Sequence, residues 1–171
     1  IRTQGSDNIR AVRAAVRLPI IGMAKGGYDD GWVLVTPDLI DVENIIESGA
    51  DIVALDVTNR VRPNGMDGFQ FLEVVRRRYT VPLIADISTY EEGLRAAELG
   101  ADIVATTLSG YTQYTEDLAD DFPDFNLIER LAAEIHVPVI AEGRIWTPGE
   151  AAHAMKCGAY AIVVGSAITR P

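Results

Sequence analysis

A single cysteine, Cys157, leaves no partner for an internal disulfide, so the chain is expected in a reducing compartment, the cytoplasm. Basic charge is also short. Fifteen Lys and Arg against 25 Asp and Glu give a net charge of −10, which excludes a nucleic-acid binder, because that needs a basic surface. A small anion stays open, since a few local arginines and backbone N–H groups can hold a phosphate on a protein that is acidic elsewhere. No apolar run approaches the roughly 20 residues that cross a bilayer. Ile1 to Gly5 carry neither the basic start nor the apolar stretch of a secretory signal. Histidine is limited to His136 and His153, one before an expected strand and one inside an expected helix. Neither joins a carboxylate cluster, so no metal site is expected. Cys157 stands beside a helix stop and is read as core filler rather than a nucleophile.

What the chain does have is repetition. Three apolar runs follow a proline, at Pro19, Pro82 and Pro138, and three follow Gly-Ala, at Gly49, Gly100 and Gly158. The runs are continuous rather than alternating, which suits parallel strands covered on both faces. Helical patterns fill the intervals. Thr36-Pro37 is expected to open one, with Leu39, Val42, Ile45 and Ile46 on a single face. Thr89 with Glu92, and Thr147 with Glu150 after which Pro148 takes the first helical position, are expected capping boxes. Gly100 and Gly158 are placed as left-handed helix stops.

The glycines recur at intervals of 51 and 58 residues and the prolines at 63 and 56, each interval holding two βα units. A doubly wound α/β sheet also alternates strand and helix. Its usual G-x-G-x-x-G after the first strand is missing here, and the doubled repeat favours a TIM (β/α)8 barrel. Six full strands and a strand tail at Ile1–Gly5 can be counted, numbered two to eight on this scheme. Residues 1–171 are therefore expected to form a single barrel domain incomplete at both ends, without strand one, most of strand two and the last helix.

Catalytic groups of such a barrel come from the C-terminal ends of its strands. Those ends are Lys25, Asp56, Asp86, Thr106-Thr107, Glu142 and Gly165-Ser166. Each has a plain structural explanation too: Asp56 can cap a loop, and Asp86 can pair with an arginine. Four ionisable groups at equivalent points of one repeat nevertheless favour a site. Lys25 and Glu142 end strands four places apart, which face each other across an eight-stranded ring. A base and an acid on opposite faces of a substrate can invert a carbon stereocentre. The loops Glu142-Gly143-Arg144 and Gly165 to Arg170 carry the glycine and arginine that suit a phosphate. Trp32 and Trp146 follow strand ends and are candidates to line the mouth.

Several stretches together resemble the bacterial N-acetylmannosamine-6-phosphate 2-epimerase family. They are Asp56-Val57-Thr58-Asn59-Arg60-Val61-Arg62-Pro63, Ala85 to Gly93, Thr106 to Thr112, Ala141-Glu142-Gly143-Arg144-Ile145, and Gly165 to Pro171. The resemblance implies cofactor-independent interconversion of N-acetylmannosamine 6-phosphate and N-acetylglucosamine 6-phosphate, a step of sialic acid breakdown. It implies Lys25 as base and Glu142 as acid. It further implies that Arg2, Asp86 and Arg170 contact substrate, with Gly143, Gly165 and Ser166 cradling the phosphate. Arg144 and Arg60 are added as substrate-binding candidates. Arg60, Arg62 or protonated Lys25 is left to stabilise the enediolate. Where family members often carry a basic residue after the lysine, this chain has Gly26-Gly27. Two other readings remain open on the sequence, a Schiff-base aldolase using Lys25 and a non-catalytic sugar-phosphate-binding barrel. A homodimer is compatible with the sequence, which fixes no interface.

Overall fold

Strands form on all six apolar runs, and three more form at Arg2–Gln4, Lys25–Gly27 and Val33–Val35. A computed structural model describes residues 1–27, 33–118 and 122–170. The strands are β1 (Arg2–Gln4), β2 (Ile21–Met23), β3 (Lys25–Gly27), β4 (Val33–Val35), β5 (Ile52–Asp56), β6 (Leu83–Asp86), β7 (Ile103–Ala105), β8 (Val139–Glu142) and β9 (Ala161–Val163). Seven of them form one sheet in the order β1-β2-β5-β6-β7-β8-β9, every pair parallel. The order tracks the chain without reversing, as in a barrel wall and unlike a doubly wound sheet. The short tail at the chain start is a true strand, with Arg2, Thr3 and Gln4 in register with Ile21, Gly22 and Met23.

Helices α1 (Ser6–Ala15), α2 (Leu39–Glu47), α3 (Gly68–Arg78), α4 (Tyr90–Glu98), α5 (Phe125–Glu134), α6 (Pro148–Lys156) and α7 (Ser166–Thr169) follow the strands. Both expected capping boxes form, Thr89 with Glu92 and Thr147 with Glu150. One boundary differs. Asp38, not Thr36, caps α2 by accepting from the Asp41 N–H. Thr36 instead turns inward, fully buried, at φ +52°.

The doubled repeat has a physical counterpart at the base of the barrel wall. Arg13 of α1 donates to the Gly49 carbonyl and pairs with Asp51, whose carboxylate also accepts from the Ile20 N–H. Arg76 of α3 repeats this with the Gly100 carbonyl, Asp102 and the Leu83 N–H. Glycine stops each preceding helix at φ +98° and +91°, a conformation that costs other residues strain. The third copy keeps the glycine, Gly158, but has Ala132 against it in place of an arginine.

Two apolar layers sandwich the sheet. The outer layer, under the helices, holds Val53, Leu55, Leu83, Ala85, Val104 and Val139 with Val42, Leu72 and Leu131. The inner layer is smaller: Ile21, Met23, Ala54, Ile84, Ala105, Ile140 and Val163. Side chains alternate along a strand, so counting on by twos from these inward residues reaches Lys25, Asp56, Asp86, Thr107, Glu142 and Gly165. The charged strand ends thus sit above the inner core, at one end of the sheet.

Candidate active site

Lys25 is not quite where the sequence reading puts it. It begins a short antiparallel hairpin, opposite Val35, two residues past the end of β2. Its side chain is exposed and borders a pocket of about 290 Å³. Glu142, the last residue of β8, lines the same pocket. In the sheet β2 and β8 are four places apart, separated by β5, β6 and β7. Lys25 and Glu142 therefore approach one space from different walls.

The Glu142 backbone is held by a neighbour. Thr106 Oγ1 accepts from the Glu142 N–H at 3.2 Å and donates to its carbonyl at 3.1 Å. The carboxylate leans on Arg2, whose Nη1 lies 2.8 Å from Glu142 Oε2, close enough for ion pairing though not aligned as a hydrogen bond. Arg2 reaches Asp86 as well, with Nη1 on Oδ1 at 2.9 Å and Nη2 on Oδ2 at 2.5 Å. Thr107 Oγ1 donates to Asp86 Oδ1 at 2.7 Å.

One guanidinium thus faces two carboxylates in a confined space. Burial pushes the Glu142 carboxyl up to about 7; Arg2 pulls it down, Asp86 adds to the rise and Lys25 opposes it. Burial works against the Arg2 charge, but Asp86 and Glu142 more than offset this and keep it protonated. The result is a carboxyl that can hold or release a proton near neutrality.

The remaining pocket wall is built by the loops after β8 and β9 and by Tyr111. Gly143, Arg144, Ile145 and Trp146 come from the first, and Gly165, Ser166 and Ala167 from the second. Gly143 has φ +112°, a conformation that suits glycine and leaves no side chain in the pocket. Gly165 and Ser166 stand at the start of α7, whose backbone N–H groups face the end where an anion is favoured.

Among the expected site residues, Lys25, Glu142, Gly143, Arg144, Gly165 and Ser166 meet at the pocket. Arg2 and Asp86 lie beside it, joined to Glu142. Arg60 is placed elsewhere: nearly buried, it pairs with Asp56 and takes no part in the pocket wall. Asp56 also accepts from the Thr58 N–H and hydroxyl, the loop-capping role foreseen for it. Arg62 donates to the Asp56 carbonyl, lies over the Phe71 ring at 4.3 Å and does not line the pocket. Arg170 is exposed at the end of α7 and does not line the pocket. The Arg144 head is spent on loop carbonyls, Nε on Phe122 O at 2.7 Å and Nη1 on Ser109 O at 2.6 Å. Trp146 does border the pocket, while Trp32 lies outside the described residues. His153 packs edge-on against Phe125 and Cys157 against the α6 side of the core, and neither lines the pocket.

Sequence reasoning gave no role to Thr106 as the backbone clamp of Glu142, nor to Tyr111 in the wall. Both fall within the Thr106 to Thr112 stretch, so the signal was the segment and not the contact.

A family model described as "Putative N-acetylmannosamine-6-phosphate epimerase" matches residues 1–171. A curated relative from Caldanaerobacter subterraneus subsp. tengcongensis, named "Putative N-acetylmannosamine-6-phosphate 2-epimerase", is 50% identical, the match covering 100% of this chain and 72% of the relative. A relative of the same name from Clostridioides difficile is 43% identical, with 100% and 75% covered. The solved structure of the N-acetylmannosamine-6-phosphate 2-epimerase from Clostridium perfringens superposes with a TM-score of 0.91 at 43% identity, over 100% of this chain and 73% of that one. An inosine 5′-monophosphate dehydrogenase from Legionella pneumophila, 19% identical with a TM-score of 0.65 over 94% of this chain and 47% of that one, shares the fold alone. On the whole-length family match, the chain belongs to the N-acetylmannosamine-6-phosphate epimerase family.

Proposed function

We propose that this protein is a 2-epimerase that interconverts N-acetylmannosamine 6-phosphate and N-acetylglucosamine 6-phosphate. One observation carries the reading: Lys25, two residues past the end of β2, and Glu142, at the end of β8 four places along the sheet from β2, border the same pocket as the Gly143 and Gly165-Ser166 turns. The seven parallel strands are taken as strands two to eight of an eight-stranded ring, the first strand lying outside this chain.

In the ring-opened sugar the C1 carbonyl acidifies the C2 hydrogen. Lys25, acting as base, takes that proton from one face, forming an enediolate. Glu142 returns a proton to the opposite face, and its raised pKa lets it carry one near pH 7. Arg2 supplies fixed positive charge beside Glu142. The phosphate is assigned to backbone N–H groups of Gly143, Gly165 and Ser166, and Arg170, outside the pocket wall, is assigned a substrate contact on the family resemblance. The proton exchange itself calls for no cofactor, and sialic acid catabolism is the setting in which such a step belongs.

Proton NMR of N-acetylmannosamine 6-phosphate with the protein in deuterated water is the direct test. The expected result is N-acetylglucosamine 6-phosphate carrying deuterium at C2, abolished by Lys25→Ala. Conversion that leaves the C2 hydrogen in place, or that survives Lys25→Ala, would overturn the assignment.

A further inference from the structure

Lys25 owes its place to a strained residue eleven positions later in the chain. Thr36 is β-branched, fully buried and held at φ +52°. Left-handed backbone at a β-branched residue costs on the order of 1–3 kcal/mol and persists only where surrounding contacts over-determine it. Here three contacts do so. The Thr36 N–H donates to the Ala24 carbonyl at 2.8 Å, Thr36 Oγ1 accepts from the Ala24 N–H at 3.2 Å, and the same hydroxyl donates to the Ala54 carbonyl at 2.7 Å. Ala24, the residue before Lys25, is thereby tied at both its backbone polar groups, and the tie is anchored to β5.

The residue after Lys25 is fixed from the same place. A Cβ added to Gly26 would stand 2.6 Å from Cγ of Pro37, so Pro37 packs directly on the Gly26 backbone. Opposite Lys25 itself, Val35 is buried in the inner core. The segment Val35-Thr36-Pro37 therefore grips Ala24, Lys25 and Gly26 in turn. A relaxed turn would not place the hydroxyl between Ala24 and Ala54. The left-handed backbone is what aims it there.

We infer that Thr36 is a positioning residue, whose strained backbone and buried hydroxyl fix the root of Lys25 at the pocket. The kinetic part of this inference rests on Lys25 acting as the base. A displacement of about 1 Å at a reacting group can lower the rate on the order of 100-fold while binding changes little.

The test is helped by composition, because the chain has only two lysines, Lys25 and Lys156. Protein labelled with ¹³C at the lysine ε-carbon gives one resonance from each, assigned with Lys156→Arg. Thr36→Gly removes the hydroxyl and relieves the backbone strain together, and the relief offsets part of what the lost hydrogen bonds cost. It is expected to shift or broaden the Lys25 resonance, leave that of Lys156 in place, and lower kcat on the order of tenfold with KM within about twofold. Thr36→Ser, which keeps the hydroxyl, is expected to restore both readouts. An unmoved Lys25 resonance in Thr36→Gly overturns the positioning role, and so does failure of Thr36→Ser to restore what Thr36→Gly loses. If the unmodified protein does not epimerise but Thr36→Gly still moves the Lys25 resonance, the positioning role stands and the epimerase reading falls.

Discussion

Arg2 and Asp86 meet as a forked pair, both Nη atoms on both carboxylate oxygens, with Asp86 fully buried and the Arg2 side chain 5% exposed. They are 84 residues apart, and the pair spans the barrel interior from β1 to β6. The same guanidinium leans on Glu142, where it opposes the rise that burial imposes on the carboxyl.

Arg2→Ala should therefore be among the costliest substitutions. It strands Asp86 without its counter-charge in a buried site, and breaking such a pair costs about 3–5 kcal/mol. In a chain of this size that corresponds to roughly 10 °C in Tm, read by thermal denaturation. Arg2→Lys should recover little, since one ammonium cannot match two carboxylate oxygens in a fork.

The pH profile should report Glu142. An acid must hold its proton, so epimerisation should fall as pH rises through about 7, where burial has pushed this carboxyl. Asp86 contributes to that rise, so Asp86→Asn should move the falling limb to lower pH. Stability follows the same sign. Glu142 binds its proton more tightly folded than unfolded, so its stabilisation is complete below about pH 4.5 and is lost as pH rises through about 7. Relative to Glu142→Gln, the unmodified protein should lose stability between pH 5 and pH 8, measured by urea unfolding.

The parallel barrel-like sheet was legible because continuous apolar runs, glycine stops and strand ends are local signals, and the same strand ends pointed to Lys25 and Glu142, which border one pocket. The Arg2 fork was not, since nothing local marks which carboxylates an arginine 84 residues away will reach. The hairpin carrying Lys25 was hidden for another reason: Lys25-Gly26-Gly27 and Val33-Leu34-Val35 are too short to announce strands. Thr36 ahead of Pro37 looks like a helix start, and only the tertiary pull of Ala24 and Ala54 turns it inward. The structural partners of Arg60 and Arg144, Asp56 for one and the Phe122 and Ser109 carbonyls for the other, were not legible either, because residue type alone does not say what a guanidinium will reach.

Glu92 is a capping-box residue that does more than cap. Its buried carboxylate accepts from the Ser88 N–H and hydroxyl, the Thr89 N–H, both nitrogens of Asn59 and the Tyr114 hydroxyl. It thus ties together the loops after β5, β6 and β7. Glu92→Ala should cost about 3 kcal/mol or more, since several buried donors lose their acceptor at once. Glu92→Gln should rescue only part of that, because its NH2 faces donors. Urea unfolding of the two variants gives the comparison.

Arg144 offers a choice between phosphate ligand and loop clamp. Its Nε and Nη1 hold the Phe122 and Ser109 carbonyls, its head lies over the Tyr111 ring at 5.7 Å, and the Ser109 hydroxyl donates to Asp124, the cap of α5. A direct charged ligand is worth about 1.5–3 kcal/mol, or roughly 10- to 100-fold in affinity. As a clamp, Arg144→Ala should weaken competitive inhibition by inorganic phosphate less than about tenfold while speeding amide exchange at Tyr111 and Leu127. Arg144→Lys should exchange equally fast, because one ammonium cannot span two carbonyls fixed by a planar guanidinium. Loss of phosphate inhibition by more than that factor, with amide exchange unchanged, would return Arg144 to the role of phosphate ligand.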